Sequence, residues 1–160
     1  MARLVEATGA AQIAVVRKLF AEYARGVDAP DCFVGFEREL DALPGDYRLF
    51  LADDDGGCVA LRFLGADTAE MKRLYVRDAH RGKGLGRALA ETAIRTAREA
   101  GCTRIVLDTL PQMREAQVLY QALGFRPIAP YLEHRRPARS ASSSGSGERT
   151  SSARRTAAAG

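Results

Sequence analysis

Glu70-Met71-Lys72-Arg73-Leu74-Tyr75-Val76-Arg77-Asp78-Ala79-His80-Arg81-Gly82-Lys83-Gly84-Leu85-Gly86-Arg87-Ala88-Leu89 runs from a strand-like segment through a glycine loop into a helix-like one. That order makes an anion site. Amides at a helix N-terminus have no acceptor within the helix, and the helix dipole favours negative charge there by roughly 0.3 to 2 kcal/mol. A pyrophosphate is the natural occupant: Gly82, Gly84 and Gly86 let the backbone approach phosphate oxygens, and Arg81, Lys83 and Arg87 offer charge-assisted contacts. The dinucleotide pattern G-x-G-x-x-G near a first strand and the P-loop run G-x-x-x-x-G-K-S/T are both absent. The plainer alternative is a basic turn that only caps a helix.

Outward from this loop, the chain alternates strands and helices. Ala2 to Glu6 reads as a short strand, and Ala10 to Arg25 as a helix with Ile13, Val16, Leu19, Phe20 and Tyr23 at helical spacing. Phe36 and Leu40 among charges suggest a short amphipathic helix closed by Pro44-Gly45. Tyr47 to Ala52 and Cys58 to Leu64 form a hairpin about Asp53-Asp54-Asp55-Gly56-Gly57, a turn without the spaced ligands and distant glutamate of a calcium loop. Glu70 to Val76 is the next strand, followed by a helix from about Gly84 to Ala100, a strand from Thr103 to Asp108, a helix opened by Pro111, and a strand from Phe125 to Ile128. The result is a mixed sheet with helices on both faces.

Composition narrows the function. The 160 residues, 46% hydrophobic and 28% charged, suit one globular domain with a real core. No apolar run is long enough to span a bilayer, and the N-terminus lacks a signal-peptide pattern, so a cytoplasmic location is expected with no membrane partner. Cys32, Cys58 and Cys102 lack metal-site or redox spacing and read as reduced, packed thiols; no metal is implied. From Tyr131 onward, Arg135, Arg136, Arg139, Arg149, Arg154 and Arg155 against Glu133 and Glu148 account for the whole net charge of +4. The preceding chain is neutral, so nucleic acid is not implied across the fold and becomes a question about the tail alone. Arg139 to Gly160 has no aliphatic side chain larger than alanine and is expected to be disordered.

Two motifs in order carry a family resemblance. The loop resembles the cofactor motif Arg/Gln-x-x-Gly-x-Gly/Ala of the GNAT family of N-acetyltransferases, filled by Arg81, Gly84 and Gly86. Ala116-Gln117-Val118-Leu119-Tyr120-Gln121-Ala122-Leu123-Gly124-Phe125 resembles the family's A-x-x-L-Y-x-x-x-G-F segment. The similarity spans roughly Leu4 to Tyr131. It implies an α/β fold with a mixed, largely antiparallel central sheet flanked by helices, residues 1–133 forming the N-acetyltransferase domain and 134–160 the Ser/Ala/Arg-rich tail. It also implies acetyl-CoA as co-substrate, its pantetheine arm along Leu74, Tyr75 and Val76, its pyrophosphate on Arg81, Gly82, Lys83, Gly84, Leu85, Gly86 and Arg87, and a small-molecule or peptide amine as acceptor. A backbone amide near Tyr75 or Val76 would polarise the thioester carbonyl.

Tyr120 matches the family's tyrosine near the coenzyme A sulfur, where a phenol can protonate the departing thiolate; packing on the helix face is the alternative. For deprotonating the amine, Glu70 is the candidate base, with Glu37 and Glu39 as substrate-side carboxylates that otherwise read as surface charge. Asp108 either adjoins the site or caps a turn. Two departures stand out. Met113 occupies the position where the family often has a coenzyme A-contacting asparagine, and the family's long C-terminal strand is missing, because Glu133-His134-Arg135-Arg136-Pro137 leads directly into the tail. An open sheet edge would then favour association, such as a homodimer. The competing functions are an acyl-CoA-binding protein without turnover and a nucleic-acid-associated module acting through the tail.

Overall fold

Alternation along two paired strands sets the layers. The computed structural model describes residues 3–27, 33, 35–129 and 155–159, which divide into two compact units, one up to Val106 and one from Leu107. In the first, β1 (Leu4–Glu6), β2 (Tyr47–Ala52), β3 (Gly57–Phe63) and β4 (Thr68–Val76) pair successively antiparallel. Leu49 and Leu51 of β2 and Cys58 and Ala60 of β3 form one buried cluster with Val16, Leu19 and Phe20 of α1 (Ala10–Gly26). The intervening Phe50, Ala52, Val59 and Leu61, also buried, project to the opposite face by the two-residue period. There α3 (Leu85–Glu99) packs on β2, β3 and β4 through a stripe that includes Leu89, Ala90, Ala93 and Ala97. The small α2 (Phe36–Ala42) lies beside the α1 cluster through Phe36 and Leu40.

The helix α3 carries the chain across to β5 (Arg104–Thr109), whose start runs parallel to β4, as a crossover connection requires. Their register covers Thr68↔Arg104, Ala69↔Ile105 and Glu70↔Val106. Beyond Glu70, β4 is paired only with β3 among the described residues.

The second unit holds the end of β5, α4 (Arg114–Ala122), β6 (Arg126–Ile128) and β7 (Arg155–Ala159). Helix α4 opens at Arg114 rather than at Pro111. Leu110 carbonyl instead accepts the Met113 amide at 3.0 Å and Gln117 Nε2 at 2.6 Å, which closes a separate turn before the helix.

The expected absence of a C-terminal strand, and of order throughout 134–160, needs correction for Arg155–Ala159. These residues form β7, which pairs antiparallel with β6 through Arg126↔Ala158, Pro127↔Ala157 and Ile128↔Thr156 and stands between β5 and β6 in the strand order. Composition measured the tail's inability to supply a core, but strand pairing is made by backbone amides and carbonyls that every residue except proline carries in full. The hypothesis that the tail replaces a lost strand lapses with it. Pro127 is tolerated because β6 ends the strand order and needs no donor on its outer side. The remainder of the tail, 130–154, lies outside the described residues, as does Cys32. No helix among the described residues is long and apolar enough to cross a membrane.

Two outcomes are expected. A Cβ at Gly57 would stand 2.7 Å from the Tyr75 carbonyl oxygen and 3.1 Å from Leu89 Cδ1. Gly57→Ala should therefore cost about 1–3 kcal/mol in denaturant unfolding, because a backbone oxygen cannot swing aside. Burial pushes the Cys58 thiol far above its usual range. Iodoacetamide at pH 8 should leave Cys58 unmodified in the folded protein and alkylate it once denaturant is added.

Candidate functional site

The glycine loop is braced from below by the β2–β3 turn. Arg77 amide donates to Gly56 carbonyl at 2.8 Å, and a single 3-10 turn, Asp78–His80, follows. A Cβ on Gly56 would fall 2.5 Å from the His80 ring, so only glycine lets the two turns approach this closely. Asp54 Oδ1 accepts the Gly56 amide at 3.0 Å, and its Oδ2 lies 3.5 Å from His80 Nε2.

Above this brace, Gly82 and Gly84 adopt φ of +76° and +79°, a region that disfavours L side chains. Gly84 is the N-cap of α3 and brings no side-chain acceptor; the first amide bonded to it within the helix is that of Ala88, at 3.0 Å. The amides of Leu85, Gly86 and Arg87 thus have no acceptor among the described residues, the condition for binding an anion. The loop cations divide. Arg81 spends Nε on Val76 carbonyl at 3.1 Å and pairs with Asp78 at 3.2 Å; Arg87 pairs with Glu91 at 2.9 Å. Lys83 is exposed and makes no ion pair among the described residues, which leaves it the most available to a phosphate.

The strand feeding this loop contains an extra residue. Cys58 pairs with Tyr75 and Ala60 with Lys72, so two steps on β3 oppose three on β4, and Arg73 takes up the difference at φ +57°. The bulge changes which face β4 presents. Lys72 and Tyr75 would face opposite ways in a regular strand; here both stand across from residues of the α1 cluster, Ala60 and Cys58. Tyr75 packs edge-on against Tyr23 of α1, and Arg77 holds Glu22 of the same helix with two bonds of 2.9 and 2.7 Å. That pairing holds the Glu22 carboxyl below its usual range. From Met71 to Val76 the other edge of β4 has no strand partner among the described residues, so its backbone groups are available to an extended ligand.

On this α1 side a polar row crosses the sheet. Tyr47 pairs across with Arg62, and Arg62 with Glu70. Glu70, 1% exposed, accepts Arg62 Nε at 3.0 Å and its Nη2 as well. Arg73 donates to Glu39 of α2 at 2.8 Å and lies over the rings of Phe33 and Phe36, while the Tyr47 hydroxyl donates to the same glutamate. Burial, then the bond to Glu39, pushes the Tyr47 phenol well above its usual range, so it serves as a donor. Lys72, Arg62, Arg73, Tyr47 and Glu39 line a cavity of about 330 Å³ with Leu43 and Pro44 at its side.

Of the residues singled out from sequence, the first unit brings together Glu70, Leu74, Tyr75, Val76 and the loop Arg81 to Arg87 on one continuous strand and turn. Tyr120 belongs to the second unit, where it is buried on α4 and tilted against Phe125 at 5.6 Å between ring centroids. Glu39 is not solvated surface charge but part of the polar row; Glu37 has no such role. Sequence reasoning missed Tyr47, Arg62, Lys72 and Arg73. The first two were within reach, because pairing the hairpin and its neighbour places Tyr47, Arg62 and Glu70 side by side. No cluster of three metal-ligating side chains occurs among the described residues.

Known proteins resemble the chain in sequence and in fold. The acetyltransferase (GNAT) family profile matches residues 14–125. An uncharacterized N-acetyltransferase of Escherichia coli is 33% identical over 80% of this chain and 82% of its own. One of Schizosaccharomyces pombe is 39% identical over 57% of this chain, and the chain spans 58% of that relative's length. Among solved structures, a GNAT family acetyltransferase of Elizabethkingia anophelis with acetyl-CoA bound superposes with a TM-score of 0.61 at 17% identity, over 98% of this chain and 95% of that one.

A Cβ at Gly84 would meet no protein atom within 4 Å, so only its φ and the space above the loop oppose a side chain. Gly84→Val should cost about 1–2 kcal/mol of stability. By calorimetry it should also weaken coenzyme A binding at least tenfold; unchanged affinity would overturn the phosphate-loop assignment.

Proposed function

Because the chain belongs to the acetyltransferase (GNAT) family, we propose that it transfers the acetyl group of acetyl-CoA directly to a primary amine of a small molecule or peptide, in the cytoplasm, without a covalent enzyme intermediate. The observation that carries this reading is the set of amides at Leu85, Gly86 and Arg87 that have no acceptor among the described residues, one short turn and loop after a strand whose edge from Met71 to Val76 has no partner among them. A long ligand with a pyrophosphate at one end and an amide-bearing arm at the other fits both features. Acetyl-CoA supplies a thioester carbonyl that a neutral amine can attack, with the coenzyme A thiolate leaving.

The protein's work is to position and to move protons. Backbone groups from Leu74 to Val76 hold the arm in extended form, Lys83 and the loop amides hold the pyrophosphate, and an amide near Tyr75 or Val76 polarises the carbonyl. Positioning of this kind can supply roughly 7–11 kcal/mol, against 10² to 10⁴ in rate from one acid or base. An amine of ordinary pKa costs about 4.6 kcal/mol to neutralise at pH 7. Glu70 is the carboxylate assigned to receive that proton, directly or through water, and its bond to Arg62 fixes its orientation. Tyr120 is assigned to protonate the thiolate. The strand β7 supports an active enzyme over a fold that only binds acyl-CoA, since the argument for impairment rested on that strand's absence.

Titration of the full chain with acetyl-CoA should show saturable 1:1 binding; its absence in folded protein would end the acetyltransferase reading. Tyr120→Phe should slow turnover about 10²-fold with cofactor affinity nearly intact. Glu70→Gln should lower kcat about 10²-fold or more, and an unchanged kcat would assign deprotonation to water instead.

A further inference from the structure

The polar cavity on the α1 side of β4 has a charge pattern that the acetyl-transfer reading does not account for. Arg62 is neutralised by Glu70 and Arg73 by Glu39. Lys72, half-buried on the cavity wall, has no ion-pair or hydrogen-bond partner among the described residues. The buried Nε of Arg73 has no acceptor either. Asp46 is the remaining acidic residue of the lining, and it is exposed at the rim. Among the described residues the cavity wall therefore holds one cation without a direct ion pair, on which Glu70 and Glu39 act only at longer range, and an orphaned donor on the adjacent residue at the bulge. Burial lowers the lysine's affinity for its proton, as expected of an ammonium group awaiting a counter-charge.

We infer that Lys72 and Arg73 form an anion subsite for the acceptor, and that the amine acetylated here carries a carboxylate, as a free amino acid does. The inference rests on the acetyl-transfer reading above. A carboxylate brings one negative charge and two acceptor oxygens, matching one free ammonium and one free guanidinium N–H; a phosphate would bring nearly two charges. The volume of about 330 Å³ lies at the lower end for small-ligand sites, which suits an amino acid rather than a peptide segment. Lys72 and Arg73 directly precede Leu74–Val76 on the same strand. A molecule whose amine lies two bonds from its carboxylate thus meets the proposed thioester site and the subsite together. In the reaction the amine nitrogen bonds to the acetyl carbon as the carbon–sulfur bond breaks, and the proton lost from nitrogen balances the one gained by coenzyme A thiolate. Acceptors bearing only positive charge, such as diamines, meet Lys72 as a like charge and are excluded.

The test compares amino acids with the amines left by their decarboxylation, L-lysine with cadaverine and L-alanine with ethylamine among them, by coenzyme A thiol release from the full chain with acetyl-CoA. The expected result is at least tenfold higher kcat/KM for the amino acid in any pair that turns over. Lys72→Met should raise KM for that amino acid tenfold or more, with acetyl-CoA binding unchanged by calorimetry. Equal or better turnover of the decarboxylated partner, an unchanged KM in Lys72→Met, or intact acetyl-CoA binding with no amino acid turned over would each overturn the subsite. Failure of acetyl-CoA itself to bind would overturn instead the acetyl-transfer reading. As a measurement independent of turnover, N-acetyl-L-alanine should perturb the NMR signals of Lys72 and Arg73 while N-ethylacetamide does not; equal perturbation by both would also overturn the subsite.

Discussion

The single extra residue in β4 is the constraint from which the polar architecture of the first unit follows. A strand alternates its side chains strictly, so one inserted residue reverses every side chain beyond it. With Arg73 absorbing that residue at φ +57°, Lys72 and Tyr75 both stand on the side occupied by α1. Tyr75 joins the aromatic contact with Tyr23, Arg77 reaches Glu22, and Arg73 itself extends to Glu39 between Phe33 and Phe36. A regular strand that kept Lys72 on this side would turn Arg73, Tyr75 and Arg77 toward the layer under α3, where α3 packs with alanines.

The bulge also separates two kinds of chemistry along one strand. Upstream of it, Glu70 and Lys72 join Tyr47 and Arg62 in the row around the cavity. Downstream, the strand offers backbone groups and then the loop whose amides open α3. The proposed transfer needs both: an extended arm with a phosphate anchor, and a polar recess for the acceptor. Carrying both on a continuous strand fixes their spacing by backbone geometry rather than by flexible side chains, which favours positioning as the main source of rate.

Support for the loop comes from elsewhere in the sequence. The Asp54–Gly57 turn closes the β2–β3 hairpin and at the same time seats His80 and Arg77, with Gly56 and Gly57 leaving room for a ring and a carbonyl that a Cβ would strike. Arg81, expected to face phosphate, is largely engaged in tying the loop back to Val76. The loop's conformation is therefore held by the protein itself and does not wait for a ligand to order it.

By itself the sequence determined most of the elements, their order as far as β6 and the glycine turn that opens α3, because these depend on local pattern: helical spacing in α1 and α3, alternation in β2 and β3, and glycines where φ must be positive. Tyr47–Ala52 was legible to the residue. Tertiary structure alone decided the bulge at Arg73, the partnering of Glu39 with Arg73, and the lack of a direct ion pair at Lys72 among the described residues, since whether a cation meets a counter-ion depends on everything around it. It also decided that Arg155–Ala159 becomes a strand. Side-chain composition reports what a segment can bury, whereas pairing with β6 draws on backbone hydrogen bonds that composition does not record.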